Sequence, residues 1–322
     1  MSIDDHTAQS PAGPYVFYLG PFRFESEIDI LELHASTGSG EIRVSIRLGD
    51  VPHTIPRATT VDEYCQVAPA EYLLNIPDTA RYYVRNGNDV RLDIVPGAPP
   101  ANVSTYLLGS VFGVLCHQSG LLPLHASAVE RGGEVSAFLG DSGAGKSTLA
   151  ACLQRRGHRI VSDDICLVQP GPDAMRVIPV AGWLKLWNQS LQHLGETPVE
   201  QNRVFSTDDK FRLFLPNSVE AIGPERPRLA HVIFLARDSD ARAQPTLQRV
   251  PLLDAIAGLM EMTYVGYVPS LAGGQSTLFK LCACVLQHTQ AWRLTMPWGL
   301  DRMDSVLDLL EKELLRSFDA NP

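Results

Sequence analysis

Hydrophobic and polar residues alternate with period two through much of the first hundred positions. Ile42, Val44, Ile46 and Leu48 are separated by Arg43, Ser45 and Arg47, the pattern of a strand with one face buried. Ala80–Arg85 and Val90–Val95 repeat it. The Asn86-Gly87 pair between them marks a hairpin whose loop exceeds two residues. Pro96-Gly97-Ala98-Pro99-Pro100 then interrupts regular structure, which puts a domain boundary near residue 100. The expectation is a smaller β-rich unit over 1–100 and a second unit over 101–322.

Beyond the prolines the pattern changes. Ser104–Ser119 has Leu108, Val111, Phe112 and Leu115 on one helical face, with Gly120 as its stop. Leu121–Val129 reads as an apolar strand, Arg131-Gly132-Gly133 as a turn, and Val135–Leu139 as a second strand. Lys146–Arg156 predicts a helix closed by Gly157, followed by a strand over Arg159–Ser162. Val232–Leu235 reads as a buried strand, and Pro251–Met262, Ser276–Gln290 and Asp301–Phe318 as helices. Strands alternating with helices imply an α/β fold with a central sheet.

Composition narrows the partners. The 322 residues carry a net charge of −9, which argues against DNA or RNA as the main partner. The most apolar run, Tyr106–Cys116, is broken by Gly109 and Gly113 and is too short to span a bilayer. Six scattered cysteines and a start without a basic, apolar leader predict reduced thiols and a cytoplasmic location.

One segment carries specific chemistry. Gly140-Asp141-Ser142-Gly143-Ala144-Gly145-Lys146-Ser147-Thr148 fits G-x-x-x-x-G-K-[ST] in full. Glycines let the backbone approach phosphate oxygens closely, and the helix beginning there adds the positive end of its dipole. Lys146 supplies a full charge to the β and γ phosphates, and the Ser147 hydroxyl suits Mg²⁺. An apolar strand before the loop and an amphipathic helix after it are the required context. The segment therefore predicts a site for ATP and Mg²⁺.

Asp163-Asp164 follows the strand Arg159–Ser162. Ligands of α/β sheets lie at the carboxyl ends of strands, so these acids are expected beside the γ phosphate. One of them would hold Mg²⁺ and the other would accept the proton of an attacking hydroxyl. Their adjacency is expected to raise proton affinity. Taken alone, the pair is no more than a turn. His125, in Leu124-His125-Ala126-Ser127-Ala128, is either a partner of the acids or a packed core residue, and position does not choose.

The order of these pieces resembles the catalytic core of HPr kinase/phosphorylase. It runs from His125-Ala126-Ser127-Ala128-Val129 through Phe138–Ala150 and Arg156-Gly157-His158 to Val161-Ser162-Asp163-Asp164. It is closer still to the HPr-kinase-like serine kinases, some of which accompany lasso-peptide biosynthesis. The likeness is dense over Leu124–Asp164 and thinner over Tyr72–Gly120 and Gly182–Trp187. It implies transfer from ATP to a serine of a peptide or protein, possible homo-oligomers, and four active-site residues: Asp164 as proton acceptor, Asp163 beside it and on the metal with Ser147, His125, and Lys146. The glutamate signature of the HPr enzymes has no match in Val177–Asn188, which argues against a phosphate-removing activity. Their catalytic arginine has no clear match, and Lys210 or Arg212 would have to supply that charge.

Two rival classes follow from the same loop: a small-molecule kinase or phosphoenolpyruvate-carboxykinase-like enzyme, and a nucleotide-binding regulator without chemistry. Leu271-Ala272-Gly273-Gly274-Gln275 looks like the signature of transporter ATPases, but Ser276–Trp292 holds no acidic residue, so it is read as a glycine turn before a helix.

Overall fold

The computed structural model describes residues 14–171, 173–180, 182–215, 226–240, 243–297 and 299–315. Its N-terminal sheet is built from β1 (Tyr15–Ser26), β2 (Gly38–Leu48), β3 (Thr59–Thr60), β4 (Cys65–Ala68), β5 (Glu71–Ile76), β6 (Ala80–Arg85) and β7 (Asp89–Ile94), in the order β1-β2-β7-β6-β5-β4-β3. The β1–β2 and β2–β7 pairs are parallel and the others antiparallel. The predicted hairpin is present. Asn86 and Gly87 both take positive φ, and Arg85 pairs with Asp89 around a loop of three residues.

The inner face of this sheet packs on one interrupted helix, α1 (Pro100–Tyr106) and α2 (Phe112–Gln118), joined by a π-helical turn at Leu107–Val111. It starts four residues before the predicted Ser104, because Pro100 suits a first helical turn. A Cβ on Gly109 or Gly113 would lie 2.9 Å from Tyr264 atoms, so the glycines admit that ring against the helix. Phe22 and Phe24 of β1 meet Phe112 here, within one hydrophobic cluster that also takes in Ile165, Leu167 and Trp183.

The remaining chain runs β8 (Leu122–Leu124), β9 (Ala126–Arg131), β10 (Glu134–Leu139), α3 (Lys146–Arg155), β11 (Arg159–Ser162), β12 (Cys166–Pro170), β13 (Met175–Ile178), β14 (Trp183–Trp187), α4 (Asn188–His193), β15 (Lys210–Phe214), β16 (Arg228–Arg237), β17 (Thr246–Arg249), α5 (Leu252–Glu261), α6 (Tyr267–Pro269), α7 (Gln275–His288), β18 (Gln290–Met296) and α8 (Met303–Glu313). The larger sheet has the order β11-β9-β10-β16-β13-β12-β8, with β18 also on β16 and β17 on β18. It is a mixed sheet: β10, β16 and β18 are parallel, while β9 runs antiparallel between β10 and β11. The period-two pattern of β10 is split between two cores. Phe138 faces α3 and α8, and Ala137 and Leu139 face α5 and α7. β14 and β15 form a separate antiparallel hairpin.

The single strand predicted over Leu121–Val129 is two strands. β8 pairs with β12 and β9 with β10 and β11, and the break is at His125, whose N–H donates to the Met262 carbonyl at 2.7 Å. Apolar content does not show where a strand changes partners. The helix expected over Asp301–Phe318 is a short 3₁₀ turn followed by α8, and its last three positions fall outside the described residues.

A buried charge links the two parts of the chain. Glu32, on a 3₁₀ turn after β1, lies 2.9 Å from Arg212 of β15 and accepts a hydrogen bond of 2.5 Å from Ser104 of α1. Arg212 also donates to Thr105 Oγ1 at 2.8 Å and to the Arg203 carbonyl at 2.7 Å. Glu32 and Arg212 are each 5% exposed, and removing one partner of such a pair leaves the other charged and desolvated. Glu32→Ala should lower stability by about 3–5 kcal/mol, whereas Ser104→Ala, which loses a hydrogen bond only, should lower it by about 1 kcal/mol. Urea unfolding midpoints compare them, and equal small losses would remove the pair as the anchor.

Candidate functional site

The glycine loop leaves β10 and enters α3 as the motif requires. Gly143 and Gly145 take φ of 83° and 101°, a region that costs a residue with a Cβ. A Cβ at Gly145 would also meet Arg237 at 2.6 Å. Gly145 caps α3 and accepts its first helical bond from the Leu149 N–H at 2.9 Å. Ser142, Gly143, Gly145, Lys146, Ser147 and Thr148 line a cavity of about 360 Å³. The rest of the loop shapes it. Gly140 and Asp141 turn their carbonyls onto the Lys146 ammonium at 2.7 and 3.0 Å, and the Ala144 N–H donates to Asp141 O at 3.1 Å. Thr148 Oγ1 meets Ser190 Oγ of α4 at 2.9 Å.

Asp164 and His125 reach the same cavity. Asp164 takes a left-handed φ of 69°, a conformation aspartate tolerates better than most residues and one found at functional turns. Its Oδ2 accepts from Lys185 Nζ at 2.7 Å, and its Oδ1 lies 3.5 Å from His125 Nδ1. Burial by itself would raise the Asp164 pKa. The Lys185 ammonium, paired with Oδ2, leads the groups that outweigh it and hold the carboxyl well below the usual carboxylate range. This reverses the expected effect of adjacency, because the neighbouring cation is nearer in effect than the neighbouring acid.

His125 Nε2 lies 3.0 Å from Lys146 Nζ, and Nδ1 lies 3.1 Å from the Asp164 carbonyl. A lysine ammonium only donates, so Nε2 accepts and the proton sits on Nδ1. Burial lowers the His125 pKa, against the pull of Asp164, which agrees with a neutral ring. Burial also lowers the Lys146 pKa, with Asp164 and Asp163 opposing it. His125 is thus a bridge between the acid turn and the phosphate-loop lysine.

Asp163 does something else. Sequence reasoning gave it the metal, but the structure gives both its oxygens to protein donors. Oδ1 accepts from Ser127 Oγ at 2.6 Å, and Oδ2 accepts from the Lys185 backbone N–H at 2.7 Å. It is 9% exposed and does not line the cavity. The two aspartates lie in the turn after β11, and the left-handed φ of Asp164 turns the chain there, so the two side chains go to different partners. Among the described residues, the cavity offers Ser147 Oγ and the Asp164 carboxylate as hard oxygen donors of the kind Mg²⁺ takes.

The residue missed in the sequence is Lys185. It sits on β14 with Leu184 and Leu186 buried on the opposite face, and its register partner on β15 is Arg212. The cue was present as a charged residue inside Trp183-Leu184-Lys185-Leu186-Trp187. Of the two basic residues offered for the missing arginine, Lys210 lines the cavity and Arg212 does not, being committed to Glu32. Arg156-Gly157-His158 also lies apart from the cavity and fastens α8. Arg156 pairs with Asp304 at 2.8 Å and Asp308 at 2.6 Å, and His158 meets Glu311 at 3.0 Å.

In all, Lys146, Lys185, Lys210 and Arg237 face this cavity against the single carboxylate of Asp164. A chain of net charge −9 thereby holds a locally cationic pocket on its phosphate loop, the arrangement that concentrates a polyanion.

The family model described as ABC transporter matches residues 127–294. That is just over half of the chain, which belongs to this family of P-loop nucleotide-binding proteins. No curated protein matches. Among solved structures the chain is similar to an HPr(Ser) kinase/phosphatase from Coxiella burnetii, at 12% identity and a TM-score of 0.33, over 60% of this chain and 97% of that one. The family match spans Leu271–Gln275. Ser270–Gly274 is a π-helical turn leading into α7, and among the described residues none of it lines the cavity. No helix among the described residues is long and apolar enough to cross a membrane.

Replacing Lys185 by Met should raise the Asp164 pKa, because burial then acts with less opposition. Asp164 in the wild type keeps its proton off through the ordinary aspartate range near about 3.9, and its ionisation stabilises the fold above that range. This contribution is lost as pH falls through the lower folded value. Carbon-13 titration of the carboxyl should show Asp164 of Lys185→Met titrating at higher pH than in the wild type. An unchanged titration would remove Lys185 as the cause.

Proposed function

We propose that this chain is a kinase that transfers the terminal phosphoryl group of ATP to a hydroxyl, in the first place a serine of a peptide or protein. The observation that carries the reading is the ionised Asp164 carboxylate on the wall of the cavity that also holds Lys146 and Ser147.

The loop residues Gly143–Ser147 bind the β and γ phosphates through backbone N–H groups and the Lys146 ammonium. Lys146 is already oriented by Gly140, Asp141 and His125. Ser147 and Asp164 supply the oxygens that fit Mg²⁺. When bound, the ion offsets charge on the phosphate oxygens. Asp164 accepts a hydrogen bond from the acceptor hydroxyl and receives its proton. The new bond joins the acceptor oxygen to the γ phosphorus, and the bond from that phosphorus to the bridging β–γ oxygen breaks. A carboxylate of low pKa suffices for this, since phosphoryl transfer has a loose transition state in which the nucleophile loses its proton late. Lys185 holds Asp164, and Asp163 holds Lys185 through its backbone N–H.

Membership in a family named for transporters suggests ATP hydrolysis as the second reading. Hydrolysis of that type would require an acid at the end of the strand after the glycine signature. That strand is β18, which ends at Met296 and Pro297 with no acidic residue from 276 to 297. The acid of this site comes from β11, and this favours transfer to a positioned hydroxyl.

Lys146→Ala should abolish turnover. Asp164→Asn should keep nucleotide affinity within a few-fold while lowering kcat by about 10²–10⁴. A fluorescent ATP analogue reads binding, and a mass shift on serine peptides reads transfer. Near-normal phosphorylation by either variant would overturn these assignments.

A further inference from the structure

The cavity has two sides, set by the order of the larger sheet. β10 delivers the phosphate loop. β11, one strand away across β9, delivers Asp164, while β16 on the other flank ends at Arg237, against Gly145. Gly299 and Leu300, after β18, join Arg237 on that second side. An acceptor hydroxyl must come within hydrogen-bond reach of Asp164, so it enters from the first side. The wall there is the β14–β15 hairpin, fixed to the acid turn by Asp163 and Lys185.

Two further side chains of that wall are not used by the transfer as described. Trp187 follows Lys185 by two residues on the same hairpin face, and 43% of it is exposed at the cavity. Its register partner is Lys210, whose Nζ lies 5.7 Å from the centre of the Trp187 ring. The other lysines of the cavity are bound to protein groups: Lys146 to two carbonyls and His125, and Lys185 to Asp164. Lys210 has no carboxylate partner among the described residues and is near enough to be felt by both Asp164 and Lys146. A flat apolar face beside an unclaimed cation, on the acceptor side of an acid, forms a recognition surface.

We infer that Trp187 and Lys210 select the acceptor, and that the acceptor is an acidic peptide segment with a carboxylate beside the phosphorylated hydroxyl. This rests on the kinase reading above. Lys210 takes the carboxylate, and Trp187 covers the peptide backbone next to it. The surroundings oppose the contrary choice, since a basic residue beside the hydroxyl would face Lys210, Lys185 and Lys146 together, and like charges of this kind give discrimination by repulsion.

The test uses the full chain and a peptide library with a central serine and randomised neighbours, every member amidated at its C-terminus, read by mass shift. Acidic neighbours should be enriched. In a matched pair, kcat/KM for a Glu neighbour should exceed that for Gln by about tenfold, the weight of one well-placed charge pair. A free C-terminus beside the serine, on an otherwise neutral peptide, shows whether a main-chain carboxylate serves equally. Lys210→Ala should bring the Glu/Gln ratio to about one whatever it does to the activity common to both peptides, and Lys210→Glu should turn the preference toward a Lys neighbour. Trp187→Ala should raise KM for all peptides more than it lowers kcat. Phosphorylation without an acidic preference, or a Lys210→Ala loss equal on both peptides, overturns the recognition role and leaves the kinase reading standing. Failure to phosphorylate any member, with ATP still bound, overturns both.

Discussion

Everything in the cavity depends on how one buried carboxylate is satisfied. Asp163 carries its charge into the interior, where an ionised group without partners is costly. It is met by the Ser127 hydroxyl from β9 and the Lys185 N–H from β14. These bonds join three separate elements, because Asp163 itself follows directly on β11. Among the described residues, the hairpin that contributes Lys185, Trp187 and Lys210 shares no strand pairing with the large sheet. The Asp163 bond to its backbone fixes the hairpin above the phosphate loop. Asp164 lines the cavity while the residue before it takes the structural role.

The same economy appears in the charges. A desolvated ammonium and a desolvated carboxylate each cost free energy, and each is placed where a neighbour compensates it. Lys185 lowers the Asp164 pKa against burial, and Asp164 in turn opposes the effect of burial on Lys146. Neutral His125 lies between Lys146 and the Asp164 backbone, passing orientation without adding charge. Lys146 and Lys185 are therefore held by neighbours, and a triphosphate entering the pocket meets those two groups already aimed.

The α/β class, the phosphate loop and several strand limits were legible in the sequence, since periodicity and a nine-residue motif are local signals. β6 falls where alternation placed it, and β11 has the bounds expected for the strand after α3. His125 was found, but the strand break that puts it in the site was not, because a change of strand partner leaves no mark in an unbroken apolar run. The two aspartates were found as a pair, and their division of labour was not, because it depends on which side of one strand tip meets Ser127. Lys185 was missed for a similar reason. A lysine between leucines in a short strand reads as a solvated edge until a third element, here the acid turn, is known to lie under it.

The family match and the site chemistry point in different directions along the sheet, and the geometry shows how both hold. The family match spans the phosphate loop, α3, the parallel strands β10 and β16, and most of β18. The acid that does chemistry need not come from the same strand in every member, because any strand whose carboxyl end borders the loop can deliver one. Here β18 ends in Met296 and Pro297, and the acid comes from β11 across an antiparallel neighbour. That choice sets the acid beside the β14–β15 hairpin, whose Lys185, Trp187 and Lys210 line the same cavity.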